Sequence, residues 1–349
     1  MKIDQLGEFG LIEKIRKSAG RPPSPVTIGI GDDAAVLNVS AASMLASTDM
    51  LIERVHFDLS YTDFFSLGWK SAAVNLSDIA AMGGLPRFCL TSIGIPDSIS
   101  AEQIAEFYRG CNACLRSSGA VLVGGDTCFS RKDLIVSVTV LGEAVKTGII
   151  ARQGARPGDR IFVTGTLGDS AAGLEILKRR GKGQGSRVQR GKSATRYPKS
   201  ALKALIMRHL RPEPRVEWGK KIALSQCAHA MIDISDGLSS DLSHICEQSR
   251  VGASIAEEKI PLSPWLIEAS GRLEHPPVHY ALSGGEDYEL LFTVPPDRIP
   301  RLRKLGLPVT ELGEITEKRN IMITRGKGNE TVLRPTGYNH FVRSGNKQE

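Results

Sequence analysis

A chain of 349 residues with 41% apolar and 5% aromatic side chains is long enough for two domains and too apolar to stay disordered. No stretch approaches the ~18 consecutive apolar residues of a membrane-crossing helix, and the start, Met1-Lys2-Ile3-Asp4, lacks the basic and apolar regions of a secretory signal, so the sequence reads as cytoplasmic, with no membrane partner. The net charge of +7 excludes little: ten Lys and Arg with no acid lie within 176–203, the remainder carries −3, and nucleic-acid binding by the folded body is not expected.

Taken in order, residues 8–19 set Phe9, Ile12 and Ile15 on one face of a short helix, which Arg21-Pro22-Pro23-Ser24-Pro25 ends. Val26-Thr27-Ile28 reads as a strand entering Gly29-Ile30-Gly31-Asp32-Asp33. Adjacent side chains of an extended chain point to opposite faces, so one of the two acids reaches any given site. Residues 44–47 predict a second strand that runs into Thr48-Asp49, and His56 follows in Arg54-Val55-His56-Phe57. Residues 65–82, rich in Ala and Leu, predict a helix carrying Asn75 and Asp78 three apart on one face. An acid in that apolar run needs a partner, either a cation or a structural group such as Arg or a helix N-terminus. Gly83-Gly84 stops the helix.

Residues 87–95 predict a strand, and Ser100 with Gln103 a capping box opening a helix to about residue 117. Val121-Leu122-Val123 reads as a buried strand ending in Gly124-Gly125-Asp126-Thr127, with another strand over 134–141. A domain boundary fits near 146–154, dividing the chain into 1–147 and 148–349. Arg160 to Gly165 restarts a strand pattern, and a helix follows through about residue 178. Residues 180–197, basic and glycine-rich, read as a flexible loop. Within it, Gly185-Ser186-Arg187-Val188-Gln189-Arg190-Gly191-Lys192-Ser193 imitates a phosphate loop, but five residues part its glycines where four are needed. Helices resume over 198–226. Met231-Ile232-Asp233-Ile234-Ser235-Asp236-Gly237 then sets acids and a hydroxyl at a strand end, before a helix at 238–248. Ser283-Gly284-Gly285-Glu286-Asp287-Tyr288-Glu289 precedes the strand 291–294, and Gly337-Tyr338-Asn339-His340-Phe341 lies near the end.

Of six cysteines only Cys111 and Cys114 form a close pair, and no second pair completes a zinc site, so reduced thiols are expected. The recurring feature is acidic: Asp33, Asp49, Asp78, Asp126, Asp233 and Asp236, most of them placed at strand ends, where α/β folds hold ligands. Carboxylates without matching His or Cys favour Mg²⁺ or Ca²⁺, and Mg²⁺ is commonly completed by substrate phosphates. The residues alone thus support Mg²⁺-dependent phosphate chemistry and nothing finer.

Together, in order and across nearly the whole chain, Gly29 to Val36, Ser47-Thr48-Asp49, His56-Phe57, Ala73 to Gly83, Gly124 to Thr127, Val163 to Gly168, Arg208 to Pro212, Ile232 to Leu238 and Ser283 to Glu289 resemble the thiamine-monophosphate kinase family. The resemblance implies an α/β (α+β), PurM-like fold of two domains, the N-terminal one dimerising, and the reaction ATP + thiamine monophosphate → ADP + thiamine diphosphate. It implies several Mg²⁺ ions on Asp33, Thr48, Asp49, Asp78, Asp126, Asp233 and Asp236. ATP would meet Gly125, Asp126, Arg152, Ser235 and Tyr108, and thiamine monophosphate His56, Glu286 and Tyr338. No covalent nucleophile or general base is expected. The alternatives are another PurM-like ATP-dependent synthetase, or a non-catalytic binder of nucleotide or thiamine phosphate. Asn339 stands where the family carries an acid, and Arg54 where glycine is common.

Overall fold

The computed structural model describes residues 26–28, 32, 34–39, 42–181, 199–326 and 328–337. The expected helix at 8–19, the phosphate-loop look-alike, Asp33 and Tyr338 lie outside them. Among the described residues there are two sheets. The first has six strands: β1 (Val26–Ile28), β2 (Ala35–Val39), β3 (Ala42–Ile52), β4 (Leu85–Ile95), β5 (Val121–Phe129) and β6 (Ile135–Glu143). Their order is β1-β2-β3-β6-β4-β5, and only β4 and β5 pair in parallel. Helices α1 (Phe64–Ala81) and α2 (Ala101–Ser117) accompany this sheet.

The second sheet has seven strands: β7 (Arg160–Thr164), β8 (Ala230–Asp233), β9 (Gly252–Ala256), β10 (Leu290–Val294), β11 (Val309–Thr316), β12 (Ile321–Arg325) and β13 (Asn329–Val332). Its order is β13-β12-β9-β11-β7-β10-β8. The helices of this half are α3 (Asp169–Gly181), α4 (Lys199–Leu210), α5 (Val216–Ser225), α6 (Leu238–Ser249), α7 (Pro264–Ala269), α8 (Pro277–Ser283) and α9 (Ile299–Arg303). Mixed sheets with helices make an α/β (α+β) fold. No described helix is long and apolar enough to cross a membrane.

Local signals act where the sequence places them. Ser100 and Gln103 form the capping box of α2, and Gly83 leaves α1 with φ +68°. All six cysteines are free, five of them buried. Two strands run further than expected. β3 continues to Ile52, so Asp49 lies inside it, and β5 continues to Phe129, so Gly124-Gly125-Asp126 lies inside an edge strand. Pairing with β6 and with β4 carries both through their polar residues. β5 is also exposed where burial was expected, because it lies at the sheet's edge with its apolar residues uncovered.

α1 is the hub. Gly68 and Gly110 bring it against α2: a Cβ on either would lie 1.8 Å from a carbonyl oxygen of the other helix, Phe107 or Phe65. Its other side meets the second half. Trp69 Nε1 donates to Pro212 O at 2.7 Å, and a Cβ on Gly219 of α5 would lie 2.1 Å from Ala80 O. One apolar core runs from Leu45, Leu76 and Val138 through to Ile222, Met231 and Phe292. Burial of that continuous surface holds the two sheets in fixed relation.

Candidate functional site

α1 is nearly wholly buried, so its polar residues must find partners within the protein. Asn75 and Asp78, three apart, turn to β3. There Ser47 and Asp49 share a face because strand side chains alternate. The Ser47 hydroxyl lies 3.3 Å from Asn75 Oδ1 and donates to Asp78 Oδ2. Asp49 lies within hydrogen-bonding reach of Asp78. Burial pushes the Asp49 carboxyl up to about 6, against that hydrogen bond. The hard oxygen donors of the pair suit Mg²⁺.

Lys70 and Ser77 are seven apart, two turns along the same helix face, and this face meets the second half. Ser77 Oγ donates to Asp233 Oδ2 at 2.6 Å, at the end of β8. Tyr288 stands over the junction. Its phenol is raised well above the ordinary value by burial and by Glu286, Asp49, Asp233 and Asp78, which brings acids from both halves within electrostatic reach of one hydroxyl. Tyr288 and Glu286 both take positive φ, +51° and +66°. Their N–H groups donate to Ile234 O (2.9 Å) and Ser235 O (2.7 Å), and these bonds pin the loop against the β8 end.

Beyond β8, the turn into α6 makes a second acidic group. Asp236, Asp241 and His244 each place one donor atom within 4.8 Å of the others. Asp241 Oδ2 also accepts from the N–H groups of Asp236 (3.2 Å) and Gly237 (3.0 Å). Burial, then Asp236 and Asp233, raises its carboxyl well above the ordinary range, while Arg152 acts against them. Burial, then Arg152, pushes His244 down to about 4. Arg152 donates its backbone N–H to Asp32 Oδ2 at 3.3 Å. Gly337 N–H donates to Ser240 Oγ at 3.0 Å, and a Cβ there would lie 2.3 Å from Asp236 O. Gly337 therefore lies beside the Asp236 turn.

A third group gathers round Glu286. Lys70 Nζ lies 2.8 Å from each carboxylate oxygen, His209 Nδ1 lies 3.2 Å from Oε2, and His56 lies within electrostatic reach. The His56 Nδ1 accepts from Ile52 N–H at 3.0 Å, which leaves the proton on Nε2.

Asp49, Asp78 and Asp233 therefore converge, Asp236, Ser235 and Arg152 adjoin them, and His56 and Glu286 form a further wall. Thr48 and Asp126 do not join the group. Thr48 pairs across β6 with Leu90, and Asp126 across β4 with Ser137 and Met50, so both occupy the outward face, opposite Asp49. Thr48 Oγ1 lies 2.9 Å from Thr139 Oγ1. Gly125 falls in the Asp49 row with φ +156°, and a Cβ there would lie 1.9 Å from Thr91 O. Tyr108 reaches the Thr127 hydroxyl beside it. Most of these acids are not at strand ends as expected: Asp49 and Asp126 lie inside strands and Asp78 lies in a helix.

Sequence reasoning passed over Lys70, Tyr288, Asp241 and His244. Lys70, a basic residue in a largely apolar helix, was the visible signal. A cavity of about 610 Å³ lies elsewhere, against α3. Its Glu175 and Glu274 pair with Arg179 at 2.7 and 3.1 Å, so it is largely neutralised from within.

Residues 31–144 match the family described as AIR synthase related protein, N-terminal domain, and residues 156–325 match AIR synthase related protein, C-terminal domain. The chain is similar to the thiamine-monophosphate kinase of Aquifex aeolicus (strain VF5), 38% identical over 341 residues covering 98% of this chain and 100% of that one. It is similar to the thiamine-monophosphate kinase of Escherichia coli (strain K12), 39% identical over 345 residues covering 96% and 98%. Among solved structures it is similar to AaThiL complexed with AMPPCP and TMP, at 35% identity and a TM-score of 0.82, covering 97% and 99%.

Proposed function

The chain belongs to the AIR synthase related proteins and, among them, to the thiamine-monophosphate kinases, and we propose that the acidic junction of its two halves is where ATP phosphorylates thiamine monophosphate to thiamine diphosphate. The observation that carries this is the meeting of Asp49, Asp78 and Asp233, from both halves, at Tyr288. We assign Mg²⁺ to these acids, with Asp33 and Asp236 beside them. The ions would neutralise phosphate charge and hold donor and acceptor in line. Thr48 and Asp126 face outward with β6 and β4 between them, about 14 Å apart, and are not assigned to these ions.

The acceptor oxygen belongs to a phosphate already ionised at neutral pH, so no general base is needed. The barrier is repulsion between anions. Arg152, with Gly125, Ser235 and Tyr108, would bind ATP, while His56, Glu286 and Tyr338 hold the acceptor. His56 cannot readily act as a phosphate carrier: its Nδ1 lone pair is engaged by Ile52 N–H and its Nε2 carries the proton. It donates a hydrogen bond instead, and transfer is direct.

We divide the chain functionally at 147/148, and place it in the cytoplasm without a nucleic-acid or membrane partner. A homodimer formed through the outward face of the first sheet would cover the exposed Phe88, Leu90, Val121 and Val123.

A coupled ADP-release assay tests the reaction. Thiamine monophosphate should be turned over, while free thiamine and unrelated phosphorylated acceptors should not. Preference for another acceptor would favour a different synthetase, and no turnover a binding protein. Phosphohistidine recovered during turnover would overturn direct transfer, and a monomer by light scattering would overturn the dimer.

A further inference from the structure

Glu286 is held far more firmly than a substrate-contacting carboxylate at a cleft wall needs to be. Its side chain is 29% exposed, while Lys70, from α1 on the other half, is 3% exposed and reaches both of its oxygens at 2.8 Å. His209, from α4, packs on the same pair: Nδ1 lies 3.2 Å from Glu286 Oε2 and 3.1 Å from Ser170 Oγ, and Nε2 lies 3.5 Å from Lys70 Nζ. A lysine ammonium has only donors, so Nε2 must be the acceptor, and the imidazole proton sits on Nδ1, aimed at Glu286 and Ser170. Burial, then Lys70, pushes His209 down to about 3, so the ring is neutral at working pH. The other groups facing Glu286 are His56 and the phenols of Tyr61 and Tyr288. The Glu286 backbone is fixed too, at φ +66° with its N–H on Ser235 O at 2.7 Å.

We infer that Lys70 and His209 are positioning residues for the acceptor substrate: they lock the Glu286 carboxylate, cancel its charge, and leave one open edge that accepts a hydrogen bond from the amine of the substrate's aminopyrimidine ring. This rests on the reading that Glu286 meets thiamine monophosphate. The substrate's chemistry selects the amine. A chelated, charge-cancelled carboxylate is an acceptor and a poor counter-ion for the thiazolium, and the exocyclic amine is the substrate's one N–H donor.

The test compares thiamine monophosphate with its 4-oxo analogue, which carries a carbonyl in place of the amine, in Lys70→Met, Glu286→Gln, His209→Asn and His209→Leu. Steady-state kinetics and calorimetric binding of each compound are both measured. The wild type should prefer the amine by about tenfold or more. Lys70→Met should raise KM for thiamine monophosphate about tenfold, erase most of that preference, and leave kcat and the KM for ATP within about threefold. Its effect should not add to that of Glu286→Gln in the double variant. Asn keeps a donor where Nδ1 stood, so His209→Asn should retain more preference than His209→Leu, which keeps the inference testable if Lys70→Met fails to fold. Equal loss of affinity for both compounds and for ATP would mark Lys70 as a structural bridge and overturn the inference. If Glu286→Gln raises KM while the Lys70 and His209 variants keep wild-type preference, the inference falls and the Glu286 reading stands. If Glu286→Gln itself changes neither KM nor preference, the underlying reading falls.

Discussion

Ser77 Oγ donates to Asp233 Oδ2 at 2.6 Å, and this bond crosses from the central helix of the first half to a strand end of the second. Both residues are buried, so the hydroxyl is part of what makes an interior carboxylate tolerable. Ser77→Ala should cost about 1–3 kcal/mol in the metal-free protein, and less with Mg²⁺ at saturation, since a cation would take over the compensation. Urea unfolding with and without Mg²⁺ measures both. Equal costs in the two conditions would separate Asp233 from the metal group.

Asp49 carries a pH signature. Its carboxyl moves from 3.8 to about 6 on folding, through burial. The folded metal-free protein therefore keeps a proton that the unfolded chain releases. The stabilisation is full below about 3.8 and is lost as pH rises through about 6. Thermal melts of chelated protein from acid to neutral pH should show this loss, and Asp49→Asn should not. At neutral pH that variant should be the more stable metal-free protein and should be inactive. Parallel melting profiles for the two would refute the assignment.

Glu289 stands three residues from Glu286 in the same motif but is structural. Arg215 grips it with Nε on Oε2 at 2.8 Å and Nη2 on Oε1 at 2.6 Å, Arg208 adds a 2.8 Å bond and Thr164 a 2.6 Å bond. Burial opposes ionisation, yet Arg215, Arg208 and Thr164 hold the carboxyl below the ordinary glutamate range. Its stabilisation is present above the unfolded value and is lost as pH falls through the folded one. Glu289→Ala strands buried guanidinium groups and should cost about 3–5 kcal/mol. Chemical denaturation at neutral pH checks the size. In acid the gap between variant and wild type should narrow; a gap that widens would sink the account.

Gly68→Ala tests the hub. The added Cβ would sit 1.8 Å from Phe107 O, backbone that no rotamer change can clear, so α1 and α2 must separate. The expected cost is about 1–3 kcal/mol or more. Because α1 also carries Asp78, Ser77 and Lys70, activity should fall further than the folded fraction does. An exposed alanine at Gly119, where a Cβ meets nothing but φ is +76°, should cost only backbone strain and leave turnover per folded molecule unchanged.

Much here was legible in the chain itself, because local chemistry decides it. The capping box at Ser100 and Gln103, the stop after α1, the free thiols and the acids were all readable from neighbouring residues. The order of motifs was enough to imply the family and the α/β (α+β) fold. Which acids meet was not readable. Asp49 and Asp126 look alike as acids that follow an apolar strand run, yet strand register turns one inward and the other outward, and register depends on partners up to about ninety residues away. Likewise Lys70 and Glu286 lie 216 positions apart. Only the packing of α1 between the two sheets brings them together, because burying that helix leaves its charged groups no solvent and obliges each to find its partner in the other half.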